Sequence, residues 1–154
     1  ILKKNLDLAR EAANRNPDDE NAKQGVVQLA KELIDQEIEV FSQRVERYPK
    51  DLKIKFELAQ RFVRVKNLQP AIKLLQQCSG DVRIEGPVLL LLGKCFLQQK
   101  QNGLAKRQFE KAVDKFTAAD HPDQFKECHY FLGRLFEDEK NLEVAEQHYT
   151  EVLA

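Results

Sequence analysis

Leu92-Gly93-Lys94-Cys95-Phe96 is followed forty residues later by Leu132-Gly133-Arg134-Leu135-Phe136, with leucine, glycine and phenylalanine in matching positions. Leu58-Ala59-Gln60-Arg61-Phe62 precedes the first of these stretches by 34 residues and has alanine in place of the glycine. A leucine, a small residue and an aromatic residue therefore recur with one internal spacing. Such recurrence at a period of 20 to 50 residues is typical of repeat architectures, so we tested the flanking sequence for the same regularity.

The regularity continues beyond each of the three stretches. An alanine follows the aromatic residue by nine positions, a large apolar residue follows four later, and a further apolar residue follows three after that. The three series are Ala71, Leu75 and Cys78; Ala105, Phe109 and Ala112; and Ala145, Tyr149 and Val152. The second interval is six residues longer than the first, which predicts an insertion around Lys115 to Pro122.

Apolar residues recur at i, i+3, i+4 and i+7 along almost the whole chain, which is the pattern of one helix face. Glycine and proline number only six and five, and no segment alternates apolar and polar residues as a strand would. We therefore predict about nine short helices, two of them within residues 26–34 and 38–48. The predicted helix starts, stops and turns are Pro17, Pro49, Asn67, Asn102-Gly103, Asp120-His121-Pro122 and Asn141.

The pattern of leucine, small residue and aromatic residue, followed by alanine, aromatic and alanine, resembles the tetratricopeptide repeat. That resemblance implies an all-α fold, a right-handed superhelical stack of antiparallel helix hairpins, in which each hairpin buries its apolar face against its neighbours. It places three hairpins at about residues 51–81, 82–120 and 121–154. Close crossing by the second helix of each hairpin is expected at the small residues Ala59, Gly93 and Gly133, with Ala71, Ala105 and Ala145 as the small counterparts on that helix. Residues 1–50 are predicted to form a degenerate N-terminal repeat or cap.

The resemblance weakens in some positions. Gly25 lies 34 residues before Ala59, but Gln28 stands where the aromatic residue is expected and Glu37 where the small alanine is expected. The early tryptophan of the family is absent, and its positions are occupied by Lys55, Leu89 and His129. More loosely, residues 36–58 resemble segments of large bacterial proteins that contain such repeats.

The charge balance argues against nucleic acid as the main partner. Lysines and arginines number 25, acidic residues also number 25, and phosphate binding needs a cationic surplus. The charge is unevenly spread, with nine bases and three acids in residues 44–73, and eight acids and three bases in residues 120–146. The longest apolar run, residues 88–92, is far too short to span a membrane. We expect a cytoplasmic protein whose native N-terminus lies upstream, since the sequence begins at Ile1 and contains no methionine.

Residues able to support chemistry are few. Three cysteines in apolar helical surroundings, Cys78, Cys95 and Cys128, are predicted to be free, buried thiols. Cys128 and His129 could suggest a nucleophile or a metal site, but adjacent helical residues point about 100° apart. No phosphate-binding glycine motif occurs. We therefore predict that the chain is not an enzyme and uses no cofactor or metal.

The resemblance also implies a binding surface. In the family, the first helix of each hairpin lines a concave groove that binds peptides, so the function predicted here is a protein-interaction scaffold that binds a peptide or protein segment. The alternative is a structural or oligomerisation segment of a larger multi-repeat protein. The implied groove residues mix apolar side chains and cations, which would suit an acidic-hydrophobic segment; they are Lys53, Phe56, Gln60, Val63, Arg64, Leu90, Lys94, Leu97, Gln98, Tyr130 and Arg134, together with the acids Glu127 and Asp138.

One subfamily is excluded by the residues in these positions. Chaperone-adaptor repeats bind a C-terminal carboxylate through a clamp of lysine, asparagine and arginine. The corresponding positions here are occupied by Phe56, Gln60, Leu91, Glu127 and Phe131.

The last repeat remains apolar on the side where another hairpin would stack. A repeat array needs a polar capping element at each end, and none follows Val152 and Leu153 in this sequence. In the native protein either a following segment of the chain or another molecule should cover this face. For the isolated 154 residues we expect self-association through the C-terminal repeat, assisted by attraction between the acidic stretch 120–146 and the basic stretch 44–73. That electrostatic part should weaken with added salt.

Overall fold

The computed structural model describes all residues, 1–154, and every regular element is a helix. The predicted all-α class is confirmed. The chain divides into two units, Ile1–Pro49 and Lys50–Ala154. The helices are α1 (Leu2–Arg15), α2 (Glu20–Arg47), α3 (Leu52–Arg64), α4 (Leu68–Gln77), α5 (Glu85–Gln98), α6 (Asn102–Val113), α7 (Pro122–Asp138) and α8 (Leu142–Leu153).

The first unit is a helical hairpin in which α1 packs on α2. The Asp19 carboxylate caps α2 by accepting a hydrogen bond from the Ala22 N–H at 3.1 Å. The prediction of two helices, at 26–34 and 38–48, is wrong, because α2 is one helix of 28 residues. No glycine or proline lies between the two apolar stripes, so their offset in phase leaves the helix unbroken. Whether residues 1–50 act as a degenerate repeat or cap stays a prediction.

The second unit consists of three hairpins, α3–α4, α5–α6 and α7–α8, with α4 packing on α5 and α6 on α7. The small and apolar residues of the repeated pattern form one continuous core. Their fully buried members include Ala59, Leu75, Cys78, Ala105, Phe109, Ala112 and Leu132. Most of the repeated positions of the first two hairpins are therefore buried, whereas Tyr149 and Val152 of the third hairpin are only partly buried.

A lysine in the left-handed conformation makes the turn inside each hairpin. Lys66, Lys100 and Lys140 have φ angles of 60°, 60° and 62°, and no other non-glycine residue has a positive φ. The residue after each lysine donates its N–H to the carbonyl of the aromatic residue five positions earlier, at 2.8 to 2.9 Å. Asn102-Gly103, predicted to be the turn, instead forms the first turn of α6, because Lys100 and Gln101 already reverse the chain.

Lys100→Gly is expected to stabilise the second unit by up to about 1 kcal/mol. The left-handed conformation costs a residue with a Cβ roughly 1–2 kcal/mol. Glycine avoids this cost, but it loses about 0.5–1 kcal/mol more conformational entropy on folding. The urea midpoint measured by circular dichroism should rise. Lys100→Ala is the matched control, since it removes the exposed side chain and keeps the Cβ; an equal rise in both variants would contradict the backbone explanation.

The six extra residues between the second and third repeats do not form a loop. Most of them lengthen the helices. Helix α6 has 12 residues where α4 has 10, and α7 has 17 residues where α5 has 14. The connection between α6 and α7 is only one residue longer than that between α4 and α5. It is held by Phe116, which is 6% exposed, and by the Thr117 hydroxyl, which accepts a hydrogen bond from the Asp120 N–H at 3.0 Å.

The three thiols are free and completely buried, as predicted. Burial raises the pKa of Cys78 and of Cys95 to about 11, and that of Cys128 to about 12. Because the thiolate is the reactive form, we expect all three to react slowly with a thiol reagent in native buffer and rapidly in denaturant. Rapid labelling of the native chain, followed by mass spectrometry, would contradict the buried assignment.

The two repeat glycines lie against aromatic rings of the second helix in their own hairpins. A Cβ placed on Gly93 would lie 2.5 Å from Cε1 of Phe109, and one placed on Gly133 would lie 2.7 Å from Cε1 of Tyr149. The close approach predicted for these positions is confirmed. At each glycine, the nearest group on the second helix is an aromatic ring and not the small alanine of that helix.

Candidate peptide-binding surface

The first helices of the three hairpins share one cleft of about 210 Å³. It is lined by Phe56 and Gln60 of α3, by Pro87, Leu90, Leu91 and Lys94 of α5, and by Gln124 and Glu127 of α7. Phe56 and Leu90 form a floor that is almost closed to solvent, at 9% and 6% exposure. The cleft therefore offers an apolar base with polar side chains around it.

The charges of this cleft compensate each other. The Lys94 ammonium of α5 forms an ion pair with the Glu127 carboxylate of α7, and both side chains are about one-third exposed. Pairs exposed to this degree contribute at most about 1 kcal/mol to stability, but they fix two side chains in place. The remaining polar groups are the amides of Gln60 and Gln124, which can both donate and accept hydrogen bonds.

The structure brings together only part of the predicted groove. Phe56, Gln60, Leu90, Lys94 and Glu127 line the cleft, whereas Lys53 lines another depression with residues 50–52 and 80–83. Val63 and Leu97 are partly buried against the core. Arg64, Gln98 and Asp138 are exposed and line none of these clefts, and Tyr130 and Arg134 belong to the surface of α7 and α8 described below.

Three residues of the cleft, Pro87, Leu91 and Gln124, were not among the predicted groove residues. Pro87 and Gln124 lie near the N-terminal ends of α5 and α7, ahead of the positions that the repeat pattern marks. Pro87 is the third residue of α5, where its missing N–H breaks no helical hydrogen bond. An exposed proline beside the apolar run 88–92 is the one signal that could have pointed to it.

A second cleft of about 460 Å³ lies on the third hairpin and is more apolar. The Tyr149 hydroxyl donates a hydrogen bond to the Glu137 carboxylate at 2.7 Å, and that bond raises the pKa of Tyr149 to about 12. We call this surface the end face; its residues are Tyr130, Arg134, Glu137, Tyr149, Val152 and Leu153.

Two histidines connect α7 and α8 on another side of the same hairpin. The Nδ1 atoms of His129 and His148 are 2.9 Å apart, so one ring donates and the other accepts. The His129 ring packs edge-on against Phe125, and the His148 ring stacks on Phe136. Burial lowers the pKa of both histidines, and the neighbouring His129 lowers that of His148 further, while Glu151 opposes both effects.

The histidine pair predicts a stability that falls on mild acidification. A lowered pKa means that the folded state binds fewer protons than the unfolded state, so stability is full above the usual histidine pKa near 6.5 and is lost as the pH falls through it. The urea midpoint should therefore decrease between pH 7.5 and 5. His129→Phe should reduce this dependence, because it removes one of the two histidines whose pKa is lowered.

No group of three or more His, Cys, Asp or Glu side chains is placed to hold a metal ion. None of the helices combines the length and the apolar character needed to cross a membrane.

Solved structures share this arrangement of hairpins. MamA from Desulfovibrio magneticus RS-1 is 18% identical, with a TM-score of 0.67 over 99% of this chain and 84% of MamA. PilF of Pseudomonas aeruginosa is also 18% identical, with a TM-score of 0.69 over 98% of this chain and 69% of PilF. A thermophilic TPR protein of Thermus thermophilus is 18% identical, with a TM-score of 0.62 over 99% of this chain and 81% of that protein. The chain has a tetratricopeptide-type fold.

No protein-family model and no curated protein sequence matches the chain. At 18% identity these structures show a shared backbone fold and not a shared function.

Proposed function

We propose that the chain is a non-enzymatic protein-interaction scaffold that binds an extended peptide segment in the cleft between α3, α5 and α7. The observation that supports this best is the cleft itself, because three successive repeats each contribute side chains to one apolar depression. Binding clefts are concave and mostly apolar, with a few polar groups that fix orientation. The tetratricopeptide-type fold alone does not specify a binding site; the site proposed here is this cleft.

The ligand we propose is an apolar segment without a strong charge requirement. Lys94 was expected to attract acidic groups, but its charge is already compensated by Glu127. An apolar ligand side chain would contact Phe56 and Leu91, while its backbone N–H and C=O groups would pair with the amides of Gln60 and Gln124. Apolar burial would then supply affinity and the amides would supply register.

A peptide library displayed on phage and selected against the 154-residue chain tests this proposal. Gln124→Trp fills the cleft from an exposed position and should weaken the selected peptides at least about tenfold. Gln98→Trp is the matched control, because Gln98 is an exposed residue of the predicted groove outside the cleft. Failure to enrich any peptide, or equal weakening by both variants, would contradict the proposed site; circular dichroism verifies that both variants fold.

The second candidate function is that of a structural or oligomerisation segment of a larger multi-repeat protein. The observation that favours it is the end face, where apolar side chains including Tyr130 and Leu153 are exposed, at 43% and 87%. Sedimentation at several protein and salt concentrations tests for self-association through this repeat, and a strict monomer at high concentration and low salt would contradict it.

A further inference from the structure

One asparagine of this chain is followed by glycine, and that pair is Asn102-Gly103 at the start of α6. Every other asparagine is followed by leucine, arginine, proline or alanine. An asparagine loses its side-chain amide when the backbone nitrogen of the next residue attacks the amide carbon, and a Cβ on that next residue hinders the attack. Glycine has no Cβ, so Asn102 has the least hindered neighbour of all the asparagines.

The surroundings of this pair leave the reacting atoms open to water. Asn102 and Gly103 are both exposed. Apart from the chain next to it and the backbone of its own helix, nothing lies within 4 Å of the Cβ position of Gly103. No side chain from another helix therefore shields the Gly103 nitrogen or holds the Asn102 amide away from it.

The first turn of α6 is also weakly held. The N–H groups in the first turn of a helix have no helical carbonyl to pair with, and the Gly103 N–H is one of them. Gln101 stands at the N-cap of α6 and its side chain makes no capping hydrogen bond. At the equivalent position of α8, the Asn141 side chain accepts a hydrogen bond from the Val144 N–H at 3.4 Å.

The attack requires this turn to open, because the five-membered ring that forms needs a backbone conformation different from that of a helix. Opening breaks the hydrogen bond from the Ala105 N–H to the Gln101 carbonyl, at 3.0 Å, and moves no buried side chain of residues 101–104. Local opening of such an exposed helix end needs far less free energy than global unfolding. The reactive conformation is therefore accessible from the folded chain.

We propose that Asn102 is a site of spontaneous deamidation in the folded protein. The Gly103 nitrogen loses its proton and bonds to Cγ of Asn102, the bond from Cγ to Nδ2 breaks, and ammonia leaves. Water then opens the cyclic imide. Opening at Cγ gives aspartate, and opening at the backbone carbonyl carbon gives isoaspartate. Water is the one co-reactant, and the site lies outside the cleft of the proposed function.

The new carboxylate appears beside the contact between the second and third hairpins. Position 102 lies four residues before Lys106, so the two side chains share one side of α6. In the unmodified chain the Lys106 ammonium pairs with the Glu139 carboxylate at 2.8 Å and lies 4.6 Å from the centre of the Phe136 ring. Deamidation therefore gives Lys106 a second acidic partner on its own helix, in competition with Glu139.

The test is incubation of the native 154-residue chain at mildly alkaline pH, followed by digestion with a glutamate-specific protease at acidic pH. The peptide 86–110 contains Asn102 as its one asparagine. Mass spectrometry detects the replacement of the amide by a carboxyl group, and chromatography separates aspartate from isoaspartate. We expect Asn102 to deamidate at least about tenfold faster than any other asparagine of the native chain.

Substitutions on either side of Asn102 test the two steps separately. Gln101→Asp supplies an N-cap that closes the first turn, and it should slow deamidation about fivefold. Gln101→Glu is the matched control, because it adds the same charge without a preferred capping side chain, and its rate should stay within about twofold of the original. Gly103→Ala places a Cβ in open space and should slow the reaction at least about tenfold.

Three results would overturn the proposal. The first is an unchanged Asn102 in the native chain while the urea-denatured chain deamidates there, which would show that α6 protects the residue. The second is equal slowing by Gln101→Asp and Gln101→Glu, which would identify charge and not helix opening as the control. The third is an undiminished rate in Gly103→Ala, which would exclude attack by the backbone nitrogen.

Discussion

Phe109→Ala is expected to lower the free energy of unfolding of the Lys50–Ala154 unit by about 3–5 kcal/mol, the usual range for a buried phenylalanine. The Phe109 side chain is fully enclosed. One face of its ring stacks on Phe131 of the next hairpin, and its edge lies against Gly93 of its own hairpin. Its removal would open a cavity between α5, α6 and α7, so urea titration followed by circular dichroism should show a large loss of stability.

Tyr149→Ala provides the comparison, because Tyr149 occupies the same position one repeat later. Its ring is only partly buried and lies at the end face, whereas Phe109 is covered by Phe131. Truncation also removes the exposed hydrogen bond to Glu137, but we expect a smaller total loss than for Phe109→Ala. Equal losses would mean that the stacking of Phe131 on Phe109 contributes little.

Gly93→Leu is expected to destabilise the same unit by about 3 kcal/mol, at the upper end of the range for overpacking. The first side-chain atom alone would meet Phe109 at 2.5 Å, and Phe109 is fully buried. Gly133→Leu should cost less, because Tyr149 can turn towards solvent. The readout is again the free energy of unfolding in urea.

Gly103→Leu is the matched control for this substitution. Gly103 is also a helical glycine, but nothing lies within 4 Å of the position of its Cβ. Leucine has the higher helix propensity by almost 1 kcal/mol, so this variant should be neutral or slightly more stable. A loss of stability similar to that of Gly93→Leu would show that bulk in the helix, and not contact with Phe109, is responsible.

Much of this fold could be predicted from the repeated stretches. Leu92-Gly93 and Leu132-Gly133 indicated both the hairpins and the close helix crossings, because a position kept small by packing is visible in the sequence. The contact of glycine with an aromatic ring was less visible, since spacing alone does not give the crossing geometry of two helices. The single helix α2 was missed because a change in the phase of an apolar stripe was interpreted as a break.

The candidate site was predicted less completely than the fold. Assigning positions to the first helix of each hairpin identified Phe56, Gln60, Leu90, Lys94 and Glu127. It did not predict how deeply Phe56 and Leu90 are buried. Lys94 and Glu127 form their ion pair between two helices although they lie 33 residues apart in the sequence, and no local sequence pattern predicts such a pair. The sequence therefore predicted an acidic-hydrophobic ligand, whereas the pairing of Lys94 favours an apolar one.

The three turn lysines also define where this chain could be cut and rejoined. Asn67 and Gln101 each follow a left-handed lysine, and each donates its N–H to an aromatic carbonyl at 2.9 Å, at Phe62 and Phe96 respectively. Residues 67–100 therefore form a cassette whose two boundaries have the same backbone conformation. Excising it would join Lys66 to Gln101 with the turn geometry intact, and inserting a second copy would lengthen the array by one hairpin equivalent without designing a new connection.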